Sequence, residues 1–396
     1  MSSSEWETYS FQELTANYDC MRKPLSSNER KKMQGKYPYY GAQGIIDSIN
    51  NYIFDGTYML VAEDGENLKS KKQNIAQIVS GKFWVNNHAH IVKESELADL
   101  RYLCYLFNNT DVSGYITGSA QPKLSQANLN LIKFTVPCLT EQKAIAATLS
   151  CLDDKIELNN RINKNLEEIA QAIFKSWFVD FEPFQDGEFE DSELGRIPKG
   201  WRVGTIEEFV KEMKNGGTPN RKNDNYWDSK DVPWLKTGEI KNSLIIESEE
   251  YISWAGLKNS SAKILPYNSV LMAMYGATAG KIGLLKFEAS TNQACCAMTC
   301  NSANKAIFLY LFLLANQSYI ESLAVGAAQQ NLNKDTISKL KLIIPKDEVI
   351  ESVIFDELFN YIENNFRETQ KLNAIRDTLL PKLMSGEIRV PIEEVQ

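Results

Sequence analysis

Residues 118–137 read GSAQPKLSQANLNLIKFTVP, and residues 326–345 read GAAQQNLNKDTISKLKLIIP. The second stretch follows the first by 208 positions without a gap, so Gly118, Ala120, Gln121, Leu124, Lys133 and Pro137 stand opposite Gly326, Ala328, Gln329, Leu332, Lys341 and Pro345. The apolar positions coincide as well: Leu129, Ile132, Phe134 and Val136 face Ile337, Leu340, Leu342 and Ile344. Shared apolar spacing implies shared backbone geometry, and the period is far longer than that of a solenoid unit. The spacing therefore marks a tandem duplication of a whole domain. A further matched piece opens each copy, EWETYSFQEL at 5–14 and GWRVGTIEEF at 200–209, aligning Trp6 with Trp201 and Phe11 with Ile206.

After Pro137 and after Pro345 the pattern becomes helical. Every seventh residue from Leu149 gives Leu149, Ile156, Asn163, Ala170 and Trp177, interleaved with Leu152, Asn159, Leu166 and Ile173. The second copy, offset by 206, gives Phe355, Ile362, Thr369, Arg376 and Leu383, interleaved with Leu358, Asn365, Leu372 and Leu379. These are heptad seams. An asparagine in a dry seam is costly unless its polar atoms are satisfied, so Asn159 and Asn365, which hold the same seam position, are predicted to meet across a pair of packed helices. Because the helices belong to two repeats related by a pseudo-twofold axis, the pair is predicted to be antiparallel, in preference to each helix covering only its own domain. The helix-pairing set is Leu152, Ile156, Asn159, Leu166, Ile173, Leu358, Ile362, Asn365, Leu372 and Leu379.

The 396 residues suit two domains of ordinary size plus connectors. We divide them into a first globular domain (1–137), a helical spacer (138–180), an acidic linker without periodicity (181–195), a second globular domain (196–345), and a second helical spacer with a C-terminal tail (346–396). Alternating aromatic and β-branched runs broken by Gly turns predict mixed α/β (α+β) domains, with strands around 234–240, 270–274 and 281–287 and helices at 94–107 and 305–315. The amino terminus has no basic region followed by an apolar run, and the seven cysteines are an odd number. Both point to a reducing cytoplasm rather than secretion or membrane insertion.

The net charge of -8 is unevenly spread. Residues 1–137 are neutral, 138–195 carry -8, 196–345 carry +5 and 346–396 carry -5. The acid sits in the connectors, which leaves the globular domains free to approach phosphate, although solvated surface lysines would give the same totals.

Catalytic signatures are missing. The stretch GATAGK (276–281) has three residues between its glycines where a phosphate-binding loop has four, and Ile282 stands where Ser or Thr would hold magnesium. His88 and His90 alternate on a strand-like run, without a carboxylate or thiol at ligand spacing, and read as a polar recognition surface rather than a metal site. Cys295, Cys296 and Cys300 form no C-x-x-C pair, and no Asp or Asn precedes Pro-Pro and an aromatic, as an amino-methyltransferase site requires. We therefore expect no catalytic residue and no metal. Amides, lysines and aromatics in the turns are the residue types that grip phosphates and read base edges. The candidate DNA-binding residues are Lys36, Tyr39, Tyr40, Gln43, Asn86, Asn87, His88, Gln121 and Lys123 in the first domain. In the second they are Asn220, Arg221, Lys222, Lys236, Thr278, Lys281, Gln329 and Gln330. About half of the aromatic residues in these domains are expected to be core.

Several segments together resemble the specificity subunit of Type I restriction-modification systems. They are FDGTYMLVAEDGENL and KFWVNNHAH in the first domain, VPCLTEQKAIAATLSCLDDKIELNNRINKNLEEIAQAIFKSWF after it, GRIPKGW opening the second, and QKLNAIRDTLLPKLMSGEI near the end. Residues 346–350, KDEVI, depart from the EQKAI of the first copy. The resemblance implies two target recognition domains separated by two long helices packed as an antiparallel coiled coil. It further implies that each domain reads one half of an asymmetric, bipartite double-stranded DNA site, while the helices set the unread gap. A helix of about 27 residues is roughly 40 Å long, comparable with the roughly 34 Å between half-sites one DNA turn apart. The implied partners are two modification subunits, which methylate adenine N6 with S-adenosylmethionine, and restriction subunits that use ATP and Mg2+. No cofactor would bind this chain. The competing readings are a methyltransferase with built-in specificity, a specificity subunit of a related system lacking the translocating subunit, and a structural coiled-coil dimerisation protein.

Overall fold

The computed structural model describes residues 6–119, 121–324 and 331–391. It divides into two compact units, one of residues 1–156 with 371–396, the other of residues 157–370. The division falls inside the two long helices, Leu139–Phe178 and Phe355–Met384. The first is 40 residues long and the second 30. Among the described residues, no helix is long and apolar enough to cross a membrane.

The first unit is built on a six-stranded sheet in the order Thr15–Asn17, Ala89–Glu94, Phe54–Ala62, Ala76–Val85, Gln34–Gly41, Gly44–Ile49. All neighbours are antiparallel except Gln34–Gly41, which runs parallel to Ala76–Val85 through Tyr39–Trp84 and Tyr40–Val85. Residue 94 therefore ends a strand, and the helix predicted from it begins only at Leu100, where the Asp99 side chain caps Tyr102 N–H. The second unit has a five-stranded sheet in the order Glu212–Asn215, Cys295–Thr299, Val270–Ala273, Ile282–Leu285, Ser243–Ile245. Beside it lies a three-stranded sheet of Glu250–Ile252, Val232–Leu235 and Ser290–Thr291. The strand predicted over 234–240 stops at Leu235, and Thr237–Glu239 form a 3-10 turn.

The duplicated segments close each unit in the same way. In the first, Glu7–Ser10 pairs with Lys133–Val136, and Phe11 N–H donates to the Ile132 carbonyl at 2.7 Å. In the second, Arg202–Thr205 pairs with Lys341–Ile344, and Ile206 N–H donates to the Leu340 carbonyl at 3.0 Å. The opening segment of each copy is thus one strand of the clasp whose other strand is the end of the repeat. Behind it, Phe11 packs on Phe107 and Phe134, and Ile145, Ala146 and Leu149 of the first long helix join Leu383 and Met384 of the second in the same core. In the second unit, Ala170, Phe174 and Phe178 meet Phe355, Phe359 and Ile362 around the apolar helix Ala303–Ala315. Cys296 is buried there and Cys295 in a separate cluster with Leu235 and Leu271, and burial pushes the Cys296 thiol up to about 12, so it acts as a small hydrophobe.

Within each unit the long helices run antiparallel. In the first, Arg376 binds Asp153 at 2.9 Å, and Asp153 also accepts the Tyr105 hydroxyl proton at 2.5 Å. In the second, Asn163 donates to the Ile362 carbonyl at 3.1 Å and accepts from Asn365 at 2.8 Å, while Asn159 donates to Glu368 at 2.8 Å and Thr369 at 3.4 Å. Asn159 and Asn365 therefore do not meet, contrary to the sequence expectation. In an antiparallel pair, a residue of the seven-spaced set faces one of the interleaved set, which sets Asn163 against Asn365 and Asn159 against Thr369. The offset of 206 converts one of these contacts into the other. Asn159 is fully buried and its Oδ1 has no partner among the described residues. The other helix-pairing positions, Leu152, Ile156, Leu166, Ile173, Leu358, Ile362, Leu372 and Leu379, are buried or half-buried.

This polar layer gives a prediction. Asn163→Leu alone strands the Asn365 amide and is expected to cost about 1–3 kcal/mol, whereas the double variant with Asn365→Leu is expected to recover most of that loss. Denaturant titration of the four proteins of the cycle measures it, and additive losses would show that the two amides are not a pair.

The segment at 181–195, an acidic linker without periodicity in the sequence, carries local structure. It holds a 3-10 turn, Glu182–Phe184, and the strand Phe189–Ser192, which forms a hairpin with Gly195–Pro198. Phe181 and Phe184 pack edge-on against Trp201 at 5.6 and 5.0 Å, so aromatic anchors order a stretch whose acidic composition reads as a linker.

Candidate nucleic-acid interface

In the first unit, four loops are laced together at the strand ends. Asn86 N–H donates to the Tyr40 carbonyl at 3.0 Å, and its side-chain Oδ1 accepts His88 N–H at 2.8 Å. This Asx turn buries Asn86 and turns Asn87 and His88 outward. Glu63 N–H donates to the His88 carbonyl at 2.9 Å, Leu124 N–H to the Glu63 carbonyl at 2.8 Å, and Gly65 N–H to the Pro122 carbonyl at 3.1 Å. Asp64 bridges to Lys123 through the backbone and receives His88 Nδ1 on its carboxylate at 2.6 Å. Gly118 has φ of +83°, and a Cβ there would lie 2.3 Å from the Gln121 carbonyl oxygen, so this loop admits only glycine at the position. Of the predicted residues, the structure gathers Gln43, Asn86, Asn87, His88, Gln121 and Lys123 around these loops.

Beneath them is a buried ionic cluster. His90 Nδ1 lies 2.5 Å from Asp19 and Nε2 lies 2.8 Å from the Leu124 carbonyl. Arg22 bridges Asp19 and Glu63 at 3.2 and 2.7 Å, and Lys123 reaches Glu63 at 3.1 Å. Burial alone would raise the Asp19 pKa, but the hydrogen bond and charge of His90, with Ile91 N–H and Arg22, hold it below the usual carboxylate range. Glu63 is likewise held low against burial, by Arg22, His90 and Lys123. The two histidines thus do not share a recognition surface: His88 sits in the turn with 47% of its side chain exposed, and His90 is fully buried in the strand. The turn at 86–88 breaks the alternation that the sequence suggested. Tyr39 is also no reader. It is 1% exposed, and its hydroxyl accepts Leu25 N–H at 2.8 Å. Tyr40 is half-buried edge-on to Phe83, where burial pushes its phenol up. Lys36 lies earlier on the same strand, over the Tyr37 ring and away from the loops.

In the second unit, Asn292 N–H donates to the Leu235 carbonyl at 3.0 Å and Asn292 Oδ1 accepts Ala294 N–H at 3.2 Å. Met274 N–H donates to the Ala294 carbonyl at 2.8 Å, and Leu332 N–H to the Met274 carbonyl at 2.8 Å. Arg221 stacks 3.6 Å from the Trp227 ring centre and binds Glu250 at 2.6 Å, and Lys236 binds the same carboxylate at 2.8 Å. Burial would raise Glu250, but Lys236 and Arg221 hold it low. Asn220 caps this turn by accepting Lys222 N–H at 3.0 Å, leaving Lys222 exposed. The GATAGK stretch forms a 3-10 turn at Gly276–Thr278, where Thr278 is half-buried and Lys281 binds Glu321 at 3.4 Å. Gln329 and Gln330 lie outside the described residues. Sequence reading missed Asp64, Tyr275, Gln293 and Asn331. The Asn331 position stood opposite Lys123 in the repeat, and Gln293 stands opposite Asn87 once Asn86 is aligned with Asn292. Among the described residues, no cluster of metal-binding side chains occurs.

Known proteins share this construction. The sequence pattern of the family described as "Type I restriction modification DNA specificity domain" matches residues 3–168 and again 198–377. The MjaIX specificity subunit of Methanocaldococcus jannaschii, a Type I restriction enzyme component, is 31% identical over 300 residues, which is 73% of this chain and 69% of that protein. The HindI specificity subunit of Haemophilus influenzae is 28% identical over 404 residues, covering 84% of each. The crystal structure of the Type I S subunit from M. genitalium superposes with a TM-score of 0.69 over 97% of both chains at 14% identity, a likeness of fold.

Proposed function

The chain belongs to the Type I restriction-modification DNA specificity family, and from that premise we propose that its two units read the two unlike parts of one asymmetric duplex site. It is a DNA-recognition subunit and not itself the enzyme. The observation that carries the bipartite reading is the duplication: two α/β units with like frames and unlike loop side chains, joined by antiparallel helices. In this reading the helices fix the unread gap. Modification subunits supply adenine N6 methylation and bind S-adenosylmethionine, restriction subunits supply ATP- and Mg2+-dependent cleavage, and this chain binds no cofactor.

Several cations near the loops, Lys123, Arg221, Lys236 and Lys281, are already paired with carboxylates. Binding is accordingly expected to combine phosphate contacts with a sequence-dependent part. The chain assembled with its modification subunits should bind its site with an affinity that falls steeply with salt, and should prefer that site to a scrambled duplex at each salt concentration. Affinity that neither falls with salt nor differs between the duplexes would refute DNA recognition.

A further inference from the structure

The loop frames of the two units are the same frame. Asn86, His88, Glu63 and Leu124 in the first correspond, bond for bond, to Asn292, Ala294, Met274 and Leu332 in the second, with the Tyr40 carbonyl replaced by that of Leu235. The parallel strand pairs beneath agree as well, Tyr39–Trp84 and Tyr40–Val85 against Trp234–Ser290 and Leu235–Thr291. So do the isolated bridges Asp64–Lys123 and Tyr275–Asn331. The correspondence falls at four different sequence offsets (195, 206, 208 and 211), because the connecting segments differ in length, so a single ungapped alignment does not expose it.

Once the backbone is common, what differs is the side chains it presents. Asp64 is matched by Tyr275, His88 by Ala294 and Lys123 by Asn331. We propose that these three matched positions determine the different base preferences of the two units, an inference that rests on the DNA-recognition reading above. The Lys123 ammonium suits the O6 and N7 acceptors of guanine, and the Asn331 carboxamide suits the N6 donor and N7 acceptor of adenine. Glu63 holds Lys123 at 3.1 Å while leaving 53% of its side chain exposed, so it is oriented and still accessible. In the second unit the position of Glu63 is taken by Met274, which is buried, so that unit has no carboxylate there to orient a cation.

The test uses the full chain assembled with its modification subunits, and duplexes carrying its mapped methylation motif with single base pairs exchanged in one half at a time. Lys123→Asn is the principal variant and His88→Ala the second. Both side chains are about half exposed, at 53% and 47%, so neither change threatens the fold. Lys123→Asn is expected to weaken discrimination at one position of the first half by roughly 10- to 100-fold and to move the preference there from guanine towards adenine. Discrimination in the second half and the gap should stay as in the parent. His88→Ala is expected to relax the first half only. Unchanged preference in the first half for both variants, equal losses in both halves, or loss of all binding with an unchanged melting temperature would each overturn the assignment. A parental complex without base preference would instead sink the reading on which it rests.

Discussion

Asp19→Ala is expected to destabilise the first unit by about 3–5 kcal/mol, because it removes a buried carboxylate that serves the His90 ring, Ile91 N–H and Arg22 together. The Asp19 side chain is 5% exposed and His90 is fully buried beside it. A loss of that size is a large part of the stability of an ordinary domain. Calorimetry of the full chain should show one transition moved to a lower temperature while the transition of the second unit stays in place. The pH dependence follows from the depressed Asp19 pKa. A carboxylate whose folded pKa lies below its unfolded value contributes stability that is complete above the ordinary value near 3.8 and is lost as pH falls through the lower, folded value. The stability difference between the parent and Asp19→Asn should therefore be full at pH 7 and shrink below about pH 4. A difference that is constant from pH 7 to pH 3 would show that the carboxylate charge is not what Asp19 supplies.

Lengthening the helices should change the recognised site in one respect only. Four residues inserted after Asn160 and four after Phe366 stand at equivalent places in the two copies, 206 apart. One added turn is about 6 Å, a little under two base-pair steps of about 3.4 Å. The gap between the two parts of the methylated motif is therefore expected to grow by one or two base pairs, with the bases of both parts unchanged. Sequencing of methylated adenines measures the gap and both parts together. An unchanged gap would refute the helices as the spacing device, and altered bases would show that they also shape the reading loops.

Much of the architecture was legible in the sequence because duplication copies backbone requirements. Both the opening segment and the repeat end were visible as matched pieces, although their pairing as a clasp, Glu7–Ser10 with Lys133–Val136, came only from the structure. The helix seams were visible because apolar periodicity is a local signal. What lay beyond reach depends on contacts distant in the chain. Tyr39 looks like a surface tyrosine until Leu25 N–H claims its hydroxyl, and His90 looks like a twin of His88 until a turn at 86–88 places one outside and the other against Asp19. The seam showed that Asn159 needs a polar partner, but only the antiparallel register identifies it as Thr369 with Glu368 rather than Asn365. The loop frame was hidden for a different reason: insertions and deletions between the copies shift its four segments by unequal amounts.

The central claim, one chain that reads two unlike parts of a duplex across a fixed gap, is tested most directly by expressing the chain with its modification subunit in a host free of other adenine methylation and sequencing every methylated adenine. The account predicts a single asymmetric motif made of two different parts separated by an unread stretch of constant length. A continuous motif, a palindrome, or methylation without sequence preference would contradict it.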